Sequence, residues 1–173
     1  MLKVSDFEDK EIVIFAEEDK SFYEQVFNIE ETLSFNSQSV KLWWSQPGFK
    51  LYGIIKGAQL IGMLAATQNY EMLYKDAQKN MTKVICTYLS AGYIHPNERK
   101  KGFFEKLFDF VITEEEKRGA IVFGAIVREE RSKDGMCPVF FSKRRFQKIG
   151  TSTIHKGPAL LRSDGSNTFT TNV

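Results

Sequence analysis

The stretch with the clearest chemical meaning covers residues 93–107, where an apolar strand gives way to a basic turn and then to an amphipathic helix. Pro96 forces a turn, residues 99–101 are all basic, and Gly102 precedes the helical pattern. A helix N-terminus presents backbone N–H groups that have no partner within the helix, together with a partial positive charge. The pattern therefore predicts a cradle for pyrophosphate. The alternative interpretation is a solvated basic turn.

The same stretch resembles the acyl-CoA-binding signature of the Gcn5-related N-acetyltransferases, the GNAT superfamily. That signature is an apolar strand, then V-x-P-x-x-[RQ]-x-x-G-x-[GA], then a helix. The positions that match are Ile94, Pro96, Arg99 and Gly102. Phe104 stands where the signature ends in Gly or Ala.

A second resemblance lies in residues 134–146, which are similar to N-x-x-A-x-x-[FL]-Y-x-x-x-G-F, a motif on a later helix of the family. Phe140 and Phe146 match, whereas three positions depart from the motif, namely Asp134, Cys137 and Arg145. Phe141 occupies the place of the Tyr that protonates the departing thiolate in many members. The resemblance spans about residues 48–161, and the order of elements also fits from residue 11.

The resemblance implies a three-layer α/β/α fold, with a mixed, largely antiparallel sheet that is splayed at a central bulged strand. It implies direct transfer of an acetyl group from acetyl-CoA to a primary amine, with no metal. A backbone N–H of the bulged strand would polarise the thioester carbonyl, and Gly92 would permit the bulge. The implied acyl-CoA contacts are Gly92, Tyr93, Ile94, Arg99, Lys100, Lys101, Gly102, Phe103, Phe104, Asp134 and Cys137.

Catalytic residues are harder to assign. Family members often carry a general-base Glu on this strand, and the corresponding positions lie near Tyr88 and Ser90, neither of which is a carboxylate. We therefore assign no base. Tyr88 and Ser90 are candidates to line the acceptor pocket or to hold a water, and packing within the strand is the alternative for Tyr88. A GNAT fold that binds acyl-CoA without catalysis is the competing function.

The resemblance places the acceptor between the first helices and the sheet. We expect an amine-bearing small molecule rather than a protein, and we leave a homodimer open. Acidic residues in this region favour a cationic amine or are simply solvated; they are Glu17, Glu18, Glu30 and Glu31.

Length, composition and charge limit which other classes of function the chain can have. The 173 residues and 19.9 kDa predict a single domain over residues 1–162, followed by a polar tail over residues 163–173. A net charge of +2 argues against nucleic acid as a partner. No apolar run approaches the ~18 residues of a membrane span, and we expect a cytoplasmic protein with free thiols. The sequence has no P-loop, dinucleotide, nucleophile-elbow or zinc-site motif.

The elements that would position these residues follow from hydrophobic periodicity. We predict strands at 11–15, 50–55, 60–64, 84–94, 120–127, 151–155 and 159–161. We predict a first helix with one apolar face, formed by Phe22, Val26, Ile29 and Leu33. We predict further helices at 36–46, from about 104 to Gly119, and at 135–145. A doubly wound nucleotide-binding sheet is the alternative fold.

Overall fold

A computed structural model describes residues 1–27, 35–127, 146–152 and 158–162. The chain divides into two compact units. The first contains Met1–Thr67 and Ala91–Glu114, and the second contains Gln68–Ser90 and Glu115–Val173. The chain passes between the units within two long strands and one helix.

The described strands are β1 (Leu2–Phe7), β2 (Lys10–Phe15), β3 (Phe49–Lys56), β4 (Gln59–Lys75), β5 (Met81–Ile94), β6 (Phe123–Ile126), β7 (Gln147–Thr151) and β8 (Pro158–Arg162). They form one mixed sheet in the order β1-β2-β3-β4-β5-β6-β8-β7. β5 and β6 are parallel, and the other pairs with a described register are antiparallel. The described helices are α1 (Lys20–Tyr23), which continues as a 3₁₀ turn over Glu24–Val26, α2 (Ser37–Ser45) and α3 (Phe103–Lys117). This mixed sheet with helices confirms the predicted fold class.

Each unit has its own apolar core. In the first, Val13, Leu51 and Met63 are fully buried, and the aromatic rings of α1, α2 and β3 pack against them. In the second, Met72, Tyr74 and Leu161 form the centre. No helix in the described residues is long and apolar enough to cross a membrane.

Local signals predicted α2 and α3 correctly. Asn36 caps α2 by accepting hydrogen bonds from the backbone N–H groups of Gln38 (3.0 Å) and Ser39 (3.1 Å), and Ser39 completes a capping box. Gly119, with φ of +95°, follows the end of α3 as predicted.

The first helix does not continue unbroken along the face that the sequence predicted, and Ile29 and Leu33 of that face lie outside the described residues. The regular helix ends at Tyr23, the 3₁₀ turn ends at Val26, and Phe27 is extended. The Gln25 side chain binds the β3–β4 turn, donating to the Ala58 carbonyl (2.8 Å) and accepting from the Leu60 N–H (2.9 Å). These tertiary bonds hold the chain in a tighter turn than the periodicity indicates.

Several strands also differ from the prediction. β1 was not predicted because it is an edge strand without clear alternation, and β4 continues to Lys75 rather than stopping at residue 64. β6 is shorter than residues 120–127, and β7 ends at Thr151, where the predicted strand began. Pairing with β8 decides the position of β7. The predicted helix at 135–145 and the tail at 163–173 lie outside the described residues.

Candidate acyl-CoA site

β5 contains a left-handed residue near its end. Ala91 has φ of +54°, whereas Gly92 is not among the residues with positive φ. A left-handed residue inside a strand is typical of a β-bulge, and a residue with a Cβ holds that conformation at a cost of about 1–2 kcal/mol. The backbone irregularity therefore falls one residue earlier than the sequence indicated.

Pairing between β5 and β6 is short. Thr87, Tyr88 and Leu89 pair with Phe123, Gly124 and Ala125, while β5 itself continues to Ile94. In the register that the structure describes, the last residues of β5 therefore extend beyond the part that is paired with β6.

The loop that follows β5 is braced by its own hydrogen bonds. The His95 N–H donates to the Ile61 carbonyl (2.8 Å), and the Asn97 N–H donates to His95 Nδ1 (3.2 Å). Arg99 Nε donates to the carbonyl of Ile94, the last residue of β5 (3.1 Å). Arg99 thus clamps the loop to the strand, a role that the sequence did not indicate.

The loop reaches α3 through two left-handed residues. Lys100 has φ of +62° and Gly102 has φ of +83°. A Cβ added at Gly102 would meet nothing within 4 Å, so glycine is needed there for its φ and not for space. The first α3 hydrogen bond runs from the Lys106 N–H to the Gly102 carbonyl (3.0 Å). Such turns at a helix N-terminus form concavities that bind anions through backbone N–H groups.

Several of the predicted contacts have side chains that are buried or paired within the protein. The side chains of Tyr93 and Phe103 are buried in the protein. The Phe104 ring lies 6.0 Å from the Phe108 ring, one turn further along α3, so a large residue is compatible with this position. Lys101 pairs with Glu98 (3.1 Å).

Charged residues that the sequence did not single out lie beside the first turn of α3. Asp9, in the β1–β2 turn, pairs with Lys10 Nζ (2.8 Å) and Lys56 Nζ (2.5 Å). Hydrogen bonds from Lys10 and then Lys56 hold the pKa of the Asp9 carboxyl well below its usual value. Lys10 Nζ also lies 4.6 Å from the centre of the Phe103 ring. Lys56 is far from Asp9 and Lys10 in the sequence, and the three residues match no motif, so no sequence signal identifies the cluster.

Tyr88 belongs to the second unit and sits in uncharged surroundings. Its ring stacks on Tyr70 with centroids 4.3 Å apart and planes 16° apart, against a core that includes Cys86. Burial raises the pKa of the Tyr88 hydroxyl well above its ordinary value and raises the pKa of the Cys86 thiol to about 12. Tyr88 is therefore a protonated hydrogen-bond donor at neutral pH and not a base. Ser90, two residues later, is partly exposed.

A cavity of about 410 Å³ lies against the loop in the first unit. Gln25, Gln59, His95 and Asn97 contribute polar groups to its lining, which has no Lys, Arg, Asp or Glu. Among the residues that the structure describes, no group of three His, Cys, Asp or Glu is placed to hold a metal. Asp134, Cys137 and Phe141 lie outside the described ranges, as do Glu30 and Glu31.

Solved structures similar to this chain include a GNAT-family acetyltransferase from Staphylococcus aureus, with a TM-score of 0.62, 11% identity, and coverage of 90% of this chain and 99% of that one. The fold is that of the GNAT acetyltransferases. The PaiA N-acetyltransferase from Thermoplasma acidophilum, in complex with coenzyme A, matches with a TM-score of 0.54 and 15% identity over 88% of this chain and 98% of that chain. An N-acyl amino acid synthase from uncultured soil microbes matches with a TM-score of 0.57 and 15% identity over 89% of each chain. No protein-family model and no curated protein sequence matches the chain.

Proposed function

We propose that this chain is an acyl-CoA-dependent N-acyltransferase that transfers an acyl group, with acetyl as our first choice, to the primary amine of a small molecule. The observation that carries the proposal is the path from Ala91 to Phe103. It combines a left-handed residue in β5, a loop braced by Arg99, and two left-handed residues that open α3.

The loop supports the donor half of the proposal. Backbone N–H groups at the start of α3, together with Lys100, suit the pyrophosphate of CoA. The GNAT fold supports the same donor, and one similar protein was determined with coenzyme A. Pantetheine would follow β5 beyond Leu89, where a backbone N–H near Ala91 would polarise the thioester carbonyl.

The chemistry then requires little from side chains. The amine nitrogen attacks the thioester carbon, the C–S bond breaks, the amine loses a proton, and the CoA thiolate leaves or takes up a proton. Because Tyr88 is protonated, it acts in this proposal by lining the acceptor pocket or holding a water, together with Ser90. The amine must reach the site unprotonated, since a lysine-like amine has a pKa near ~10.

Thiol release from acetyl-CoA across a panel of small amines tests the activity. We expect turnover with at least one acceptor and a kcat/KM that rises towards alkaline pH and reaches a plateau. A descending limb would contradict this mechanism, because it would indicate an enzyme acid that titrates. Butyryl-CoA and longer donors in the same assay would show whether acetyl is preferred.

Arg99→Ala tests the donor site. We expect CoA affinity to fall by about 1.5–3 kcal/mol for each charge-assisted hydrogen bond that the Arg99 guanidinium would make to a CoA phosphate, and the loop also loses its bond to the Ile94 carbonyl. Lys101→Ala should cost less, since Lys101 is exposed and paired with Glu98. Calorimetry that shows unchanged affinity for both variants would overturn this assignment of the loop.

Binding of acyl-CoA without catalysis is the second candidate function. The uncharged surroundings of Tyr88 and its protonated hydroxyl favour it, because they offer no base at the position where the family often has a carboxylate. CoA binding without thiol release for any amine in the panel would support this function over transfer.

A further inference from the structure

A cluster of charged side chains in the first unit adjoins the loop but is not used by the donor site described above. Lys10 and Lys56 are cross-strand neighbours at the ends of β2 and β3, and Asp9 bridges their Nζ atoms at 2.8 and 2.5 Å. The Lys10 side chain is only 8% exposed, whereas that of Lys56 is 53% exposed. Lys56 is therefore the member of the cluster that a ligand in solvent can reach.

Three contacts connect this cluster to the start of α3. Lys10 Nζ lies over the Phe103 ring at 4.6 Å, and Lys106 Nζ lies over the Phe7 ring at 4.9 Å. Phe7 and Phe103 meet edge to face with centroids 5.7 Å apart. The β1–β2 turn is thus packed on the first turn of the helix that the loop opens.

Lys56 is also coupled to the loop itself. Its pKa is raised mainly by the hydrogen bond to Asp9, and the charge of Glu98 in the loop contributes. Glu98 in turn pairs with Lys101 at 3.1 Å. Within the first unit, Lys56 therefore interacts with the negative charge of Glu98 in addition to that of Asp9.

The balance of charge in the cluster favours an anion. Lys10, Lys56 and Lys106 supply three positive charges, against the carboxylate of Asp9, which bonds Lys10 and Lys56, and that of Glu98, whose charge acts on Lys56. The cavity on the loop lined by Gln25 and His95 carries no Lys or Arg, so it lacks the charge that suits a phosphate. CoA carries a 3′-phosphate in addition to its pyrophosphate, and a lysine beside the loop would be a favourable partner for this group.

We propose that Lys56, held by Asp9 beside the loop, binds the 3′-phosphate of the acyl-CoA donor and makes the protein selective for CoA over 3′-dephospho-CoA. This inference rests on the proposed function. Lys56 Nζ would exchange part of its bond to Asp9 for the phosphate oxygens, while the buried Lys10 keeps Asp9 in place. A point charge of this kind is a common phosphate ligand.

Calorimetry with CoA and 3′-dephospho-CoA tests the proposal. We expect wild-type protein to bind CoA about tenfold more tightly than dephospho-CoA, as one charge-assisted contact would give. Lys56→Gln should bring this ratio close to one by weakening CoA binding and leaving dephospho-CoA binding unchanged.

Lys41→Gln, on the exposed part of α2, removes the same charge elsewhere and serves as the matched control. It should leave the ratio as in wild type. A wild-type ratio near one, or an equal ratio in wild type and Lys56→Gln, would overturn the inference while leaving the proposed function intact. If neither nucleotide binds wild-type protein, both proposals are wrong.

Discussion

The loop after β5 and the middle of β5 differ in how their candidate residues are held. In the loop, contacts between residues close in sequence do most of the work, such as Arg99 on the Ile94 carbonyl and Asn97 on His95. Around Tyr88 the environment comes from residues distant in sequence, including the ring of Tyr70 and the parallel partner Gly124. Surroundings built from neighbouring residues can be predicted from a short motif, whereas surroundings built from distant residues cannot.

The two regions also differ in charge. The loop carries Arg99, Lys100 and Lys101, with Lys56 close by, and suits a ligand with several phosphates. The surroundings of Tyr88 are aromatic and apolar, with a thiol and a phenol that both remain protonated at neutral pH. If the proposed function holds, one region selects the donor by charge and the other excludes charge from the reacting amine.

The largest effect is expected from a substitution in the second unit, which tests whether the two regions act independently. Glu115 is fully buried and accepts hydrogen bonds from Gln68 Nε2 (2.8 Å) and Arg118 (2.8 Å). Glu115→Ala should lower the free energy of unfolding by about 2–3 kcal/mol, because it removes a fully buried charged acceptor from two hydrogen bonds whose donors, Gln68 and Arg118, are partly exposed. Urea denaturation measures this, and CoA affinity of the folded protein should be unchanged.

Glu116→Ala is the matched control, since Glu116 makes an exposed ion pair with Arg162 at 3.6 Å, for which we expect less than about 1 kcal/mol. A loss of CoA affinity in Glu115→Ala at temperatures where it stays folded would show that the two regions are coupled.

A smaller loss of stability is expected from Gly102→Ala. Alanine at φ of +83° should cost about 1–2 kcal/mol of stability, and it should also weaken CoA binding because the loop must rearrange. Gly119→Ala creates the same backbone strain, at φ of +95° with nothing within 4 Å, but lies at the far end of α3. If both variants lose the same stability but only Gly102→Ala binds CoA more weakly, the result would support the loop as the donor site. An equal loss of CoA affinity in both variants would contradict it.

The smallest effect is on the stability of the protein at alkaline pH, to which Tyr88 and Cys86 of the second unit contribute. Burial raises the pKa of Tyr88 well above 10.0 and raises the pKa of Cys86 from 9.0 to about 12, so the folded state holds these protons more tightly than the unfolded chain. Their contribution to stability is therefore complete below pH about 9 and is lost as pH rises above that value. Tyr88→Phe should unfold with a weaker pH dependence above pH 10 than wild type. The same dependence in both proteins would show that Tyr88 is solvated.

Much of the first unit's site could be predicted from the sequence. Pro96, Gly102 and the apolar spacing of α3 act over a few residues, and the loop and helix lie where these signals indicate. The bulge was predicted at Gly92 because glycine adopts positive φ most easily, yet Ala91 takes that conformation. Strain of this size is accepted where surrounding structure determines the backbone, and no single-residue preference reveals it.

The remaining features depend on contacts between distant segments. The 3₁₀ turn that ends α1 depends on Gln25 binding the β3–β4 turn, and the position of β7 depends on its pairing with β8. The charged cluster of Asp9, Lys10 and Lys56 exists because two turns meet at one end of adjacent strands. The positions of these residues in the sequence do not indicate that the two turns lie side by side.

The fold class, the loop and the start of α3 could be predicted from the residues alone, because turn chemistry and helix capping are local and act through the backbone. The bond from Arg99 to the Ile94 carbonyl, the stacking of Tyr88 on Tyr70 and the ion pair of Lys56 with Asp9 became visible only in the folded chain. These properties depend on burial and on charges brought together from separate strands, and both are set by packing rather than by the order of residues.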